Sequence, residues 1–187
     1  DMTLRTPEQK AAVSALLDNP LFRDVENALS VKAKNQFYYV MAKYTRMIGE
    51  KEQTHLFRKA HFEMIEAAPH FMQESKMTYL RTLNNLMASQ LELSYFEDLE
   101  NCLAKLRSQY GECSYNEENF VFDCDLRVSM AYYLSRHIYF ERQTEIHRLE
   151  QGYHTFYPRL RPHIKLVAPY YFALLAVYAG SFDKALD

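Results

Sequence analysis

The chain has 187 residues, only four of them glycine and six proline, and its formal charge at pH 7 is -2. This length fits one domain with a real core, and so few glycines and prolines are typical of an all-α protein. The near-neutral charge argues against wholesale nucleic-acid binding. The longest uncharged run, from Leu166 to Phe182, is too short and too polar to predict a membrane span.

The predicted helices begin close to the start of the sequence. Thr6, Pro7 and Gln9 supply a capping hydroxyl, a proline at the first helical position and an amide at the third, so they predict a helix that ends near Leu17. Apolar residues at helical spacing predict eight more helices. Their expected ranges are 21–29, 34–48, 51–67, 75–91, 96–106, 126–137, 140–153 and 164–178, with a polar connector over 111–119.

The predicted helix over 51–67 has its apolar residues on one side. This side is formed by Leu56, Ala60, Met64 and Ala67. The histidines of this segment, His55 and His61, are six residues apart, which places them on different faces, and we interpret them as surface or packing residues.

Turns recur along the sequence at a nearly constant interval. They fall near Gly49, Ser94, Ile138 and Gly180, at spacings of 45, 44 and 42 residues, and the tripeptide Tyr-Phe-Glu occurs at the same corner in 95–97 and 139–141. Such a period predicts helix hairpins that stack into a right-handed α-solenoid. We expect N-terminal helices over 1–33 and repeats over 34–187, with the last repeat truncated, in a fragment of a longer chain. An irregular helical bundle is the alternative.

The last residues, YYFALLAVYAGSFDKALD, resemble a tetratricopeptide repeat, in which glycine ends the first helix, an aromatic residue wedges between the helices and small residues allow close approach. The hairpins at Gly49, Ser94 and Ile138 match this scheme in part. The repeat-defining residues are Gly49, Met87, Phe96, Leu99, Ala131, Phe140, Ala173, Gly180, Phe182 and Ala185.

The resemblance implies binding of a protein or peptide in the concave groove lined by the first helix of each hairpin. The carboxylate clamp of one tetratricopeptide subset is not supported, because Lys43, Ala88, Tyr132 and Leu174 stand where its signature Asn is placed. The groove residues that we expect to contact a partner are Tyr39, Lys43, Asn84, Tyr132 and Leu174. A homodimer that forms through the uncapped terminal repeat is a second candidate interaction.

Adjacent aromatic residues are frequent, as in Tyr38-Tyr39 and Tyr132-Tyr133. Neighbours on a helix point about 100° apart, so one member of each pair is a candidate for the groove, although packing between helices is the alternative.

Motifs of catalysis and metal binding are absent from the sequence. It has no metal-ligand spacing of His and Glu, no nucleophile elbow and no phosphate-binding glycine loop. Cys102, Cys113 and Cys124 are eleven residues apart, which indicates reduced thiols in a cytoplasmic protein without a signal peptide. We therefore predict a non-enzymatic, cytoplasmic scaffold without a cofactor or metal.

Charge is unevenly distributed in the second half of the sequence. Residues 92–125 hold nine acids and two bases, whereas 126–166 hold seven bases and three acids. These bases form a candidate basic stripe for an acidic partner or nucleic acid, and inter-repeat charge pairing is the alternative. The alternative function is a ligand- or peptide-sensing domain of a bacterial regulator, with the DNA-binding part of that regulator outside this fragment. The stripe consists of Arg127, Arg136, Arg142, Arg148, Arg159, Arg161 and Lys165.

Overall fold

The computed structural model describes residues 6–180, except for the side chains of Lys10, Leu16 and Leu21. These residues are helical and contain no strand, so the predicted all-α class is confirmed. The chain divides into two compact units, Asp1–Tyr95 and Phe96–Asp187. Each unit is described by itself.

The described part of the first unit contains five α-helices, and the first two begin at side-chain caps. The predicted capping box is present, with Thr6 Oγ1 accepting from the Gln9 amide, and Ser30 caps the second helix through the amide of Ala33. The helices are α1 Pro7–Leu17, α2 Val31–Ile48, α3 Lys51–Glu66, α4 Pro69–Glu74 and α5 Lys76–Leu93.

The predicted helix over 21–29 is wrong. Two short 3-10 helices, Pro20–Phe22 and Val25–Asn27, occupy this segment instead. The Asp24 carboxylate accepts from the Glu26 amide, and the Asn27 side chain donates to the Pro20 carbonyl at 2.9 Å. Such local side-chain bonds compete with α-helical pairing, which explains the tighter turns.

Helix α3 packs against both α2 and α5 and is the central helix of the first unit. Its apolar contacts include the ring of Phe62 against Tyr79 of α5, and Phe57 against Phe37 of α2. The fully buried residues Leu80, Leu83 and Met87 of α5 complete the core.

The second unit is built around one long helix. It contains α6 Phe96–Arg107, α7 Tyr115–Arg136, α8 Gln143–Phe156, a 3-10 turn over Tyr157–Arg159, and α9 Pro162–Tyr178. Helix α7 contacts α6, α8 and α9. It begins eleven residues earlier than expected, because Ser114 and Glu117 form a capping box within the predicted connector.

Left-handed residues occur at all four predicted turns, with the third shifted by one residue. The φ angles are 88° at Gly49, 61° at Ser94, 56° at His137 and 71° at Gly180. Each one lies one or two residues after the last residue of a helix, which is the usual geometry of a helix C-terminus. The periodic turns predicted from the sequence therefore coincide with helix ends. Helix ends alone do not show that the hairpins stack into a solenoid.

The repeat-defining residues differ in their burial. Met87 and Leu99 are fully buried, whereas Phe96, Ala131 and Ala173 are half-buried. Phe140 is 60% exposed, so its predicted role as a wedge between helices is wrong: its ring lies against the adjacent Tyr139 at the surface. Phe182 and Ala185 lie outside the described residues.

Candidate ligand-binding site

The buried face of α3 is mainly polar. The apolar side of the sequence pattern is covered only in part, because Ala60 and Met64 are half-buried whereas Leu56 is 56% exposed and Ala67 is exposed as well. The face that α2 and α5 cover is turned away from Leu56 and Ala67. It consists of Thr54, His55, Arg58, His61, Phe62 and Ile65, the first four of which we call the polar strip.

Three members of the polar strip have partners on the neighbouring helices. Thr54 Oγ1 lies 3.0 Å from Thr45 Oγ1 of α2, and His55 Nδ1 lies 3.1 Å from Ser89 Oγ of α5. These hydrogen bonds satisfy polar groups that would otherwise be costly to bury. The strip thus binds α3 to both neighbours.

His61 is the third partnered member. Its Nε2 lies 2.8 Å from Asn35 Oδ1, and its ring stacks on Tyr38 of α2. Burial lowers the pKa of His61 to about 4, so the ring is neutral at pH 7. Since the Asn35 oxygen accepts, Nε2 carries the proton and donates.

Arg58 is the exception within the polar strip. The residue is only 7% exposed, yet within residues 6–180 its guanidinium forms no hydrogen bond and no ion pair. Burial and, to a smaller extent, the nearby positive charge of Arg46 lower its pKa to about 10, while Glu92 opposes this. The group still carries its full charge at neutral pH.

The carboxylate that acts on Arg58 is already engaged. Glu92 of α5 pairs with Lys51 of α3, with 3.2 Å between Oε1 and Nζ. Helical side chains lean toward the N-terminus of their helix, which directs Arg58 toward the end of α3 where Lys51 lies. Glu92 thus lies near Arg58 while it is paired with Lys51, and Arg46 adds a second positive charge beside Arg58.

Helix α2 adds an exposed stripe beside this charge. Tyr39, Lys43 and Arg46 follow one another at i, i+4 and i+7, and all three are exposed. Lys43 Nζ donates to Tyr39 Oη at 3.3 Å and lies 5.3 Å from the ring centroid. Tyr38, the other member of the doublet, points inward onto His61, as expected for adjacent helical residues. We call Tyr39, Lys43 and Arg46 the α2 stripe.

The remaining predicted groove residues are less accessible. Asn84 of α5 and Leu174 of α9 are half-buried. Tyr132 of α7 is 5% exposed, and its hydroxyl donates to Glu100 of α6. Burial, together with Glu100, raises the pKa of Tyr132 to about 12. A side chain held in this way offers a partner little surface, so the exposed members of the set are Tyr39 and Lys43.

The largest charge cluster of the second unit surrounds Asp125 of α7, whose side chain is fully buried. Arg107 Nε donates to Oδ1 at 3.0 Å, and Arg148 donates to Oδ2 at 2.8 Å. The hydroxyls of Ser129 and Tyr110 complete the shell at 3.0 and 3.3 Å. Burial lowers the pKa of Arg107, but Asp125 and Tyr133 outweigh this effect and raise it.

The predicted basic stripe is occupied by intramolecular contacts. Arg142 bridges Glu100 and Glu145, and Arg148 is committed to Asp125. Four others lie over aromatic rings of the same unit: Arg136 over Phe96, Arg159 over Tyr115, Arg161 over Phe120 and Lys165 over Tyr157. The seventh, Arg127, approaches Cys124 Sγ at 4.0 Å. These contacts match the charge-pairing alternative in part.

The described residues contain few groups that are arranged for metal binding or thiol chemistry. Across residues 6–180, no three His, Cys, Asp or Glu side chains converge where a metal ion could bind. None of the three cysteines forms a disulfide within the described residues, and burial raises the pKa of Cys124 to about 12, which makes it a poor nucleophile. No helix in the same range has the length and hydropathy to cross a membrane.

Comparison with protein-family models, with curated proteins and with solved structures found no match. The candidate site therefore depends on its own geometry.

Sequence reasoning missed Arg58, although a signal for it exists. His55, Arg58, Phe62 and Ile65 recur at i, i+3, i+7 and i+10, which is the spacing of one helix face. The side of the same helix that contains Leu56 gives the more apolar pattern, because it contains no charged residue.

Proposed function

We propose that this chain is a non-enzymatic, cytoplasmic binding module for a protein or peptide, and that the α2 stripe of the first unit contacts the partner. The observation that carries the proposal is the exposed aromatic-cation arrangement of Tyr39, Lys43 and Arg46 on a single helix face. Tyr and Arg are enriched at protein interfaces, where a rigid ring and a planar cation supply contact area and directional bonds.

The charge around the α2 stripe supports an acidic partner. Lys43 and Arg46 project from α2, and Arg58 adds a buried charge beside Arg46 without a paired carboxylate. Complementary charge favours encounter with an acidic segment and disfavours a basic one. Nucleic acid is a weaker candidate, because the seven residues of the basic stripe already have contacts within their own unit.

The proposal includes a tetratricopeptide-like arrangement of the helices as a right-handed α-solenoid. The left-handed corners at Gly49, Ser94, His137 and Gly180 support a regular repeat of helix hairpins. A homodimer through the end of the chain belongs to the same picture, in which exposed Val177 and half-buried Leu174 of α9 would be covered by the next repeat.

Affinity capture tests the partner site. The purified chain is immobilised, exposed to lysate of its native cells and washed at low and high salt, and the retained proteins, peptides and nucleic acids are identified. We expect a protein partner that is held by the wild type and lost with the double variant Tyr39→Ala, Lys43→Ala. Salt should weaken retention without abolishing it, because the Tyr39 ring contributes through apolar contact.

Tyr170→Ala is the matched control, since Tyr170 is 65% exposed on α9 and outside the proposed site. This variant should retain the partner as the wild type does. Equal loss with both variants, or retention of nucleic acid alone that disappears as salt rises, would count against the α2 stripe.

A further inference from the structure

Buried arginines in proteins are almost always paired, because a desolvated charge is costly unless an opposite charge and hydrogen bonds compensate it. Arg58 is more than nine-tenths buried on the face of α3 that α2 and α5 cover, its guanidinium nitrogens retain some contact with solvent, and it lacks both kinds of partner among the described residues. Its five N–H donors form a planar fork that suits the two oxygens of a carboxylate or phosphate.

The surroundings of Arg58 do not neutralise it. The other members of the polar strip, Thr54, His55 and His61, carry no negative charge, and they bond to α2 and α5. Glu92, the carboxylate that acts on Arg58, is paired with Lys51. Water could satisfy individual N–H groups, but it would leave the net positive charge in place.

We propose that Arg58 is an anion receptor that binds an oxyanion, either a carboxylate or a phosphate group, of a ligand held by the first unit. This inference rests on the proposed function for the identity of the ligand as a peptide or protein, but not for the chemistry of the receptor. The anion would supply the charge and the hydrogen bonds that the protein itself does not provide.

The receptor is tested with small anions on the whole chain. Thermal unfolding is followed with sodium phosphate, sodium acetate and sodium chloride at matched ionic strength, for the wild type, Arg58→Met and Arg58→Gln. At a tenfold excess over its Kd, the oxyanion should raise the Tm of the wild type by about 3 to 6 °C. Arg58→Met should weaken oxyanion affinity by about tenfold or more.

Lys59→Met is the matched control. Lys59 is the next residue on α3, is exposed, and carries the same charge, so its loss changes the net charge equally. We expect it to keep the oxyanion response. Equal stabilisation of the wild type and Arg58→Met would overturn the proposal, as would equal loss of the response in Arg58→Met and Lys59→Met.

The stability of the Arg58 variants without oxyanion supplies a second readout. A buried charge without a partner costs stability, so Arg58→Met should unfold at the same temperature as the wild type or higher in chloride alone. If both Arg58→Met and Arg58→Gln failed to fold, Arg58 would be a paired structural residue, and the proposal would be overturned.

Fluorescence anisotropy with a labelled hexaglutamate peptide and a hexaglutamine control separates the two proposals. Binding of hexaglutamate that requires both Arg58 and Tyr39 would support the receptor and the α2 stripe together. A phosphate or acetate response that requires Arg58 but not Tyr39, without peptide binding, would support the receptor alone. Peptide binding that requires Tyr39 but not Arg58 would uphold the proposed function and overturn the receptor.

Discussion

Asp125 of the second unit and Arg58 of the first are both charged side chains inside helical packing, but their surroundings differ. Asp125 accepts from two arginines, a serine and a tyrosine, all between 2.8 and 3.3 Å. Arg58 has no such partner in the described chain. The same kind of helix packing therefore encloses one fully compensated charge and one uncompensated charge.

The difference indicates different roles for the two groups. Every oxygen of Asp125 is used within the protein, so the cluster binds α6, α7 and α8 together and leaves nothing for a ligand. The guanidinium of Arg58 has no carboxylate of its own, and burying its charge costs desolvation energy. In the proposal above, a bound anion supplies the missing compensation.

The largest effect is expected from Asp125→Asn. The change keeps the shape of the side chain but leaves Arg107 and Arg148 without their carboxylate, one of them largely buried. We expect the free energy of unfolding to fall by about 3 to 5 kcal/mol, the usual cost of breaking a buried ion pair. Urea denaturation measures this change.

Asp98→Asn is the control for Asp125→Asn, because Asp98 is an exposed carboxylate on α6. Its effect should stay within about 0.5 kcal/mol. A loss below about 1 kcal/mol for Asp125→Asn would mean that the arginines find solvent easily, and the contrast with Arg58 would disappear.

The pH dependence of stability tests whether the polar strip of α3 is dry. His61 has a pKa of about 4 in the folded protein and an ordinary value near 6.5 when unfolded. The unfolded chain therefore binds the proton first, and stability is lost as pH falls from about 6.5 to 4. The upper bound on this loss is about 3 kcal/mol.

His61→Gln isolates the contribution of His61, since the glutamine amide can still donate to Asn35. We expect this variant to lose less stability between pH 6.5 and 4 than the wild type, by urea denaturation at several pH values. Identical pH profiles would show that His61 is solvated and that the polar strip is not dry at this position.

The sequence predicted correctly those features of the fold that depend on local interactions. The Thr6–Gln9 capping box and the helix end at Gly49 depend on residues within one turn, and both are confirmed. The third corner was misplaced by only one residue, from Ile138 to His137.

Tertiary contacts decided the features that the sequence did not reveal. Hydrophobic periodicity favoured the side of α3 with Leu56, but a polar residue can be buried when a neighbouring helix supplies its partner, as Ser89 does for His55. The acidic segment before residue 126 was expected to be solvated or paired between repeats. Asp125 instead lies at the centre of its unit, because arginines from α6 and α8 meet there.

Gly152→Ala tests how tightly the second unit is closed around Asp125. Gly152 lies one turn after Arg148 on α8, and a Cβ at this position would lie 2.6 Å from the buried ring of Phe122 on α7. Alanine normally stabilises a helix relative to glycine by about 1 kcal/mol, but this overlap should reverse the sign. We expect a net loss of about 1 to 2 kcal/mol in urea denaturation.

A double-mutant cycle with Phe122→Leu locates the cause of that loss. If the overlap with the Phe122 ring is responsible, Gly152→Ala should cost less in the Phe122→Leu background than alone, because the smaller side chain makes room for the added methyl group. The α8 helix would then be held at a fixed distance from α7, which keeps Arg148 within reach of Asp125. If Gly152→Ala alone instead increased the stability, α8 would be able to shift away from α7. The burial of Asp125 would then depend on its contact with Arg107 rather than on a fixed position of α8.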